Sequence, residues 1–166
     1  LLQDDIHSAL QTADNNLFEP ISIPYARYTI FLCLANIELA VSKGDYLLGL
    51  ALSEDLLKEV FSLTRVDIPD VLRWKGKALS GLGRLNESYQ VLKDAGSLAR
   101  ESGCILHLWT VLADLASLNS KLGNDKEAEE NRREARHIAE QIAESLREVG
   151  LRDSFLDQPR VKTLMR

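Results

Sequence analysis

Arg73 and Lys77 stand four residues apart. On a helix that spacing puts both cations on one face, where together they can hold a carboxylate of a bound peptide through charge-assisted hydrogen bonds. The same pair also fits the solvated charges that helices commonly carry. No other constellation points to a reaction. The histidines His7, His107 and His137 fall in three different segments, and none has a second His, Cys or carboxylate at metal-ligand spacing. Nucleophile-elbow, P-loop and dinucleotide signatures are missing; Gly81-Leu82-Gly83 lacks a third glycine and follows no strand. Asp4-Asp5, Glu54-Asp55 and the run from Glu127 to Glu130 lie on the polar sides of helical patterns, which fits solvation better than paired-carboxylate catalysis. Catalytic residues, metal and cofactor are therefore not expected. Trp74 and Trp109, with Tyr25, Tyr28 and Phe31, are candidate anchors for a partner, although filling gaps between helices accounts for them better.

The chain has 166 residues, of which 45% are hydrophobic, enough for one well-buried domain. Its formal net charge of -5 speaks against a nucleic-acid surface, which needs concentrated Lys and Arg. The longest apolar runs, such as Ile30 to Ala35, fall far short of the roughly 20 residues of a membrane span. Cys33 and Cys104 are the only cysteines, outside C-x-x-C spacing and within or at the start of apolar helical patterns. They read as small buried hydrophobes in a reduced, cytoplasmic setting. The chain opens Leu1-Leu2 and its one methionine is Met165, which reads as a piece of a longer protein.

The elements that would position these groups are marked by glycine. Gly44-Asp45, Gly83-Arg84 and Gly123-Asn124 recur about 40 residues apart, each between two amphipathic patterns, a period that signals stacked helical hairpins. Residues 3–17 read as a helix of a truncated repeat, with Ile6, Ala9, Leu10, Ala13 and Leu17 on one face. Hairpins follow over 24–63 (helices near 25–42 and 46–63), 69–101 (69–82 and 86–101) and 104–148 (104–122 and 126–148). Residues 150–166, with Leu151, Phe155, Leu156, Val161 and Leu164, read as a cap over the last hairpin's exposed end. Asp67 and Pro69 supply the cap and first turn of the second hairpin. Gly49, Ser88 and Ala128, each five positions past a turn glycine, mark close helix approach. Nothing reads as a strand, and helix should exceed about 70% of the chain against a globular average near a third.

The strings Arg73-Trp74-Lys75-Gly76-Lys77-Ala78-Leu79 with Leu82-Gly83-Arg84, and Leu115-Ala116 with Leu122-Gly123-Asn124 and Glu127-Ala128, resemble the tetratricopeptide repeat. The period above the usual ~34 residues, and the ending Ile142-Ala143-Glu144-Ser145-Leu146 followed by Leu151 to Leu156 and Pro159-Arg160-Val161, resemble such regions at the C-terminal ends of large bacterial signalling ATPases, cyclases and transcriptional regulators. Lys75 departs from the pattern, standing where a large apolar residue is preferred, and Asn36-Ile37 replace the usual apolar-small pair.

The resemblance implies an all-α, right-handed superhelix of about seven main helices with a C-terminal cap. The first helix of each hairpin would line its concave side, placing there Phe31, Leu34 and Glu38, then Arg73, Lys77 and Ser80, then Thr110, Asp114, Ser117 and Lys121. It implies a non-catalytic protein-interaction or regulatory module whose partner is a protein or peptide. Asparagines that would clamp a peptide C-terminus are missing from the corresponding places. Self-association through the 3–17 face, giving a homodimer, and a small-ligand sensor using the groove remain open alternatives.

Overall fold

The computed structural model of the chain describes residues 27–60 and 67–165. Within them are eight helices and no strand, and helix accounts for 84%. The helices are α1 (Arg27–Ser42), α2 (Tyr46–Val60), α3 (Ile68–Gly81), α4 (Leu85–Glu101), α5 (Ile105–Leu122), α6 (Asp125–Ser145), α7 (Arg152–Leu156) and α8 (Pro159–Met165). The six long ones match the expected hairpins within a few residues, the largest difference being α6, which stops at Ser145 rather than 148. The expected helix 3–17, Tyr25 and the edges 24–26 and 61–63 lie outside the described residues.

Each helix packs on the next, and α1 also touches α3 while α3 touches α5. The second helices α2, α4 and α6 have no comparable contact with one another. Two apolar clusters result. One joins α1 and α2 to α3 around Ile37, Val71, Trp74 and Leu79; the other joins α4, α5, α6 and α8 around Leu92, Val111, Leu112 and Val161. Leu72 packs against both, so the cores are continuous along the array. Trp74 and Trp109 are buried here, as their gap-filling role requires, whereas Phe31 is 54% exposed.

The hairpin turns follow from one backbone device. At Gly83 and Gly123 φ is 76° and 78°, a left-handed conformation that costs glycine little. The residue after each glycine returns its N–H to a carbonyl five positions back, Arg84 to Leu79 and Asn124 to Asn119, both at 2.9 Å, which satisfies orphan carbonyls at the helix end. The same pattern recurs at Gly44, and also at Gly103 and Gly150, which the sequence reading did not single out as turns.

Past each hairpin turn the small residue lets the two helices meet. Ser88 is fully buried and its hydroxyl donates to the Gly76 carbonyl at 2.7 Å, tying α4 to α3. A Cβ at Gly49 would stand 2.6 Å from Val41 Cγ2. Lys75, the departure from the repeat pattern, reaches across to α2 and pairs with Glu54 at 3.0 Å.

Two expectations need correction and a third is extended. Asp67 occupies the N-cap position of α3, but its buried side chain makes no capping hydrogen bond; Pro69 in the first turn takes over by removing a donor that needs capping. Cys33 and Cys104 are free and only partly buried. The C-terminal segment does more than cover the last hairpin. Val161 and Leu164 sink into the core beside α6, and Arg136 Nε donates to the Leu164 carbonyl at 3.2 Å. The first turn of α8 is thereby carried to Glu38 of α1 at the other end of the array.

Candidate functional site

Trp74 is the hub around which charged groups gather. Its ring, 1% exposed in the residue as a whole, lies under the Arg73 guanidinium at 4.3 Å, with Lys77 Nζ at 5.0 Å and the Arg160 guanidinium at 5.2 Å from its centroid. Distances of this order place all three cations in reach of the ring's negative face. Two of them are held by carboxylates of their own side of the array. Arg73 Nε donates to Asp70 Oδ1 at 2.8 Å and its Nη1 to Asp114 Oδ2 at 3.1 Å, while Lys77 Nζ donates to Asp114 Oδ1 at 3.3 Å. Asp114 thus ties α5 to α3 through both cations.

Arg73 is 4% exposed, which corrects its expected place among solvated charges. Desolvation alone would lower its pKa, but Asp70 and Asp114 together outweigh that effect and hold it above the ordinary arginine value. Arg73 is a structural cation, fully used within the fold. The reason is tertiary: stacking α5 on α3 brings Asp114 against a side chain that its own helix would leave in water.

Beside this cluster a cavity of about 730 Å³ opens between α3, α5 and α8. Arg73, Lys77, Thr110, Asp114, Ser117 and Lys121, all named from the sequence, line it. Ser80 lines an adjoining cavity of about 270 Å³, together with Val41, Ser42 and Tyr46. The other three candidates line neither space. Leu34 is buried in the core of the first hairpin, Phe31 is exposed, and Glu38 is reached only through Arg160, at 3.4 Å. The Thr110 hydroxyl is turned back to the His107 carbonyl at 2.7 Å.

Charge in the larger cavity is lopsided. Arg73, Lys77, Lys121, Arg132 and Arg160 line it, against the single carboxylate of Asp114. Carboxylates outside the lining offset part of this: Asp70 holds Arg73, Glu129 holds Arg132 at 2.6 Å, and Glu38 meets Arg160. Lys121 differs. Its Nζ donates to the Ser80 hydroxyl at 3.3 Å, and no carboxylate among the described residues lies in ion-pair range. Ser117 and Ser120 stand beside it in the lining, adding neutral hydroxyls.

Arg132, Arg160 and Thr163 were missed as site residues, whereas Trp109, a candidate anchor from the sequence, does line the cavity. Arg160 and Thr163 come from α8, and the signal for them was the pattern Pro159, Val161, Leu164, a short helix whose apolar side must face inward and whose Arg160 and Thr163 flank that side. Among the described residues no group of three or more His, Cys, Asp or Glu side chains could hold a metal ion, and no helix is long and apolar enough to cross a membrane. His107 is partly buried, its Nδ1 3.9 Å from Asp70 Oδ1, and His137 is exposed and hydrogen-bonded to Gln141 at 3.1 Å.

No known protein-family model and no curated protein matches this chain.

Proposed function

We propose that the chain is a non-catalytic protein-interaction module, a tetratricopeptide-like right-handed superhelix whose concave side is the shared face of α1, α3 and α5 and holds an acidic segment of a partner protein. The superhelical reading is supported by first helices that pack on one another while second helices have no comparable contact, which is how an array curves toward its first helices. The function rests on one observation above all: five cations and one carboxylate line the larger cavity in a chain whose formal net charge is -5. A locally positive cleft on an acidic molecule attracts and orients acidic partners and repels basic ones. Its volume, about 730 Å³, is in the range of specific binding clefts. The residue carrying most of the attraction is Lys121, since no carboxylate among the described residues pairs with it, and Lys77, shared with Asp114, assists it. By resemblance to larger bacterial signalling proteins, the module serves there as a cytoplasmic regulatory part.

Affinity capture from an extract of the source cell tests this. The parent chain should retain a set of acidic partners that the Lys121→Glu protein loses while its thermal melt, for a change at an exposed position, stays close to the parent's. Recovery of the same partners by both proteins would place the binding surface elsewhere.

A further inference from the structure

Arg160 lines both cavities, and Lys77, Asp114, Ser117 and Lys121 are also common to the two. Arg160 thus borders both the larger space, with Trp109 and Thr163, and the smaller one, with Val41 and Tyr46. What holds it there is slight. The pair with Glu38 is long, 3.4 Å, and the two side chains are 47% and 52% exposed. Its stacking distance to Trp74, 5.2 Å, exceeds that of Arg73, 4.3 Å. An exposed pair of this kind shifts an equilibrium by about fivefold at most. The backbone beneath is better anchored, because Val161 and Leu164 are buried and Arg136 holds the Leu164 carbonyl. The static contacts would therefore let one side chain rotate on an anchored helix.

We propose that Arg160 is the movable partition of the groove. By leaving Glu38 for an acidic side chain of the partner, it joins the two cavities into one channel across α1, α3 and α5 and becomes the cation that reads the partner's charge. The proposal rests on the acidic-segment reading above and adds a specificity-determining residue to it. The groups facing Arg160 account for its choice: Glu38 is the only carboxylate it pairs with among the described residues, Lys77 and Lys121 on the shared floor repel it, and Asp114 is occupied by Arg73 and Lys77. An incoming carboxylate relieves that repulsion where Glu38, at the edge, does so weakly.

Hexaglutamate is the probe, with affinities measured by calorimetry for the parent, Glu38→Gln, Arg160→Ala and the double variant, each checked by thermal melting. Glu38→Gln should tighten binding about two- to fivefold by freeing Arg160, and Arg160→Ala should weaken it about tenfold or more, as loss of a charge-assisted hydrogen bond does. In the Arg160→Ala background Glu38→Gln should change nothing. Equal tightening in both backgrounds would mean that Glu38 acts only through its field, and would overturn the proposal, as would unchanged affinity on removing Arg160. A ligand-free arm separates this from the reading beneath it. The heteronuclear NOE of the Arg160 Nε–Hε group should fall in Glu38→Gln; an unchanged value overturns the partition. Hexaglutamate failing to bind the parent overturns both the acidic-segment reading and the proposal, and a fall in the NOE in that case upholds only the restraint of Arg160 by Glu38.

Discussion

At the scale of residues, the fold uses its charges unequally, and the difference lies in partners distant in sequence. The spacing of Arg73 and Lys77 on one helix face was legible, and so was the place of Asp114 on the same side of the next hairpin. What the spacing did not carry is that stacking α5 on α3 presses these groups together and closes water off from Arg73. Removing Arg73 would take from Asp70 its arginine partner, leave Asp114 to Lys77 alone, and uncover one face of Trp74. Arg73→Ala is therefore expected to cost about 2–4 kcal/mol in a denaturant melt, the low end of what breaking a buried pair costs because both carboxylates keep some water. Lys121→Glu, at an exposed position, should stay within about 0.5 kcal/mol of the parent. A comparable loss in both variants would contradict the distinction between structural and available cations. Cys33 gives a second test. Burial pushes its thiol pKa up, so less thiolate is present at any given pH and alkylation at pH 8 should be slower than for an unstructured cysteine peptide. Mass-spectrometric rates that match the peptide's would contradict its partial burial.

At the scale of elements, glycine explains both what was legible and what was passed over. Gly44, Gly83 and Gly123 stood out because each parts two amphipathic runs, and the helix limits followed closely. Gly103 has the same conformation and the same return hydrogen bond, but it ends the second helix of a hairpin, where no repeat with Gly44 draws the eye. Halving the period would have exposed it, since Gly83, Gly103 and Gly123 are evenly spaced. Nothing stands within 4 Å of a Cβ built on any of these three, so a substitution there is opposed by the backbone alone. Valine at position 83, 103 or 123 should destabilise by at least about 1 kcal/mol each. Alanine at Gly76 acts by another route, because its Cβ would meet Leu92 Cγ at 2.6 Å. Thermal melts of the three valine variants that overlay the parent would contradict the turn assignment.

At the scale of the whole molecule, the all-helical architecture could be read from periodicity, while the path of the C-terminal segment could not. Leu151, Phe155, Leu156, Val161 and Leu164 announce an apolar segment looking for cover, and all but the exposed Leu151 find it: Phe155 meets Trp109 edge-on with ring centroids 6.1 Å apart, and Val161 is fully buried. Apolar burial has no direction in sequence, so nothing in that pattern foretold that Arg160 would be delivered to Trp74 and Glu38 and complete a cavity begun by α3 and α5. The consequence is a groove built from both ends of the described chain. The central claim, that this groove receives an acidic segment, is tested most directly by titrating hexaglutamate into isotope-labelled protein and mapping amide and side-chain shifts. Perturbations should be confined to α1, α3, α5 and α8, strongest around Lys121, Ser117 and Arg160 and absent in Lys121→Glu. Perturbations centred on the outer surfaces of α2, α4 and α6, or a pattern unchanged by Lys121→Glu, would contradict it.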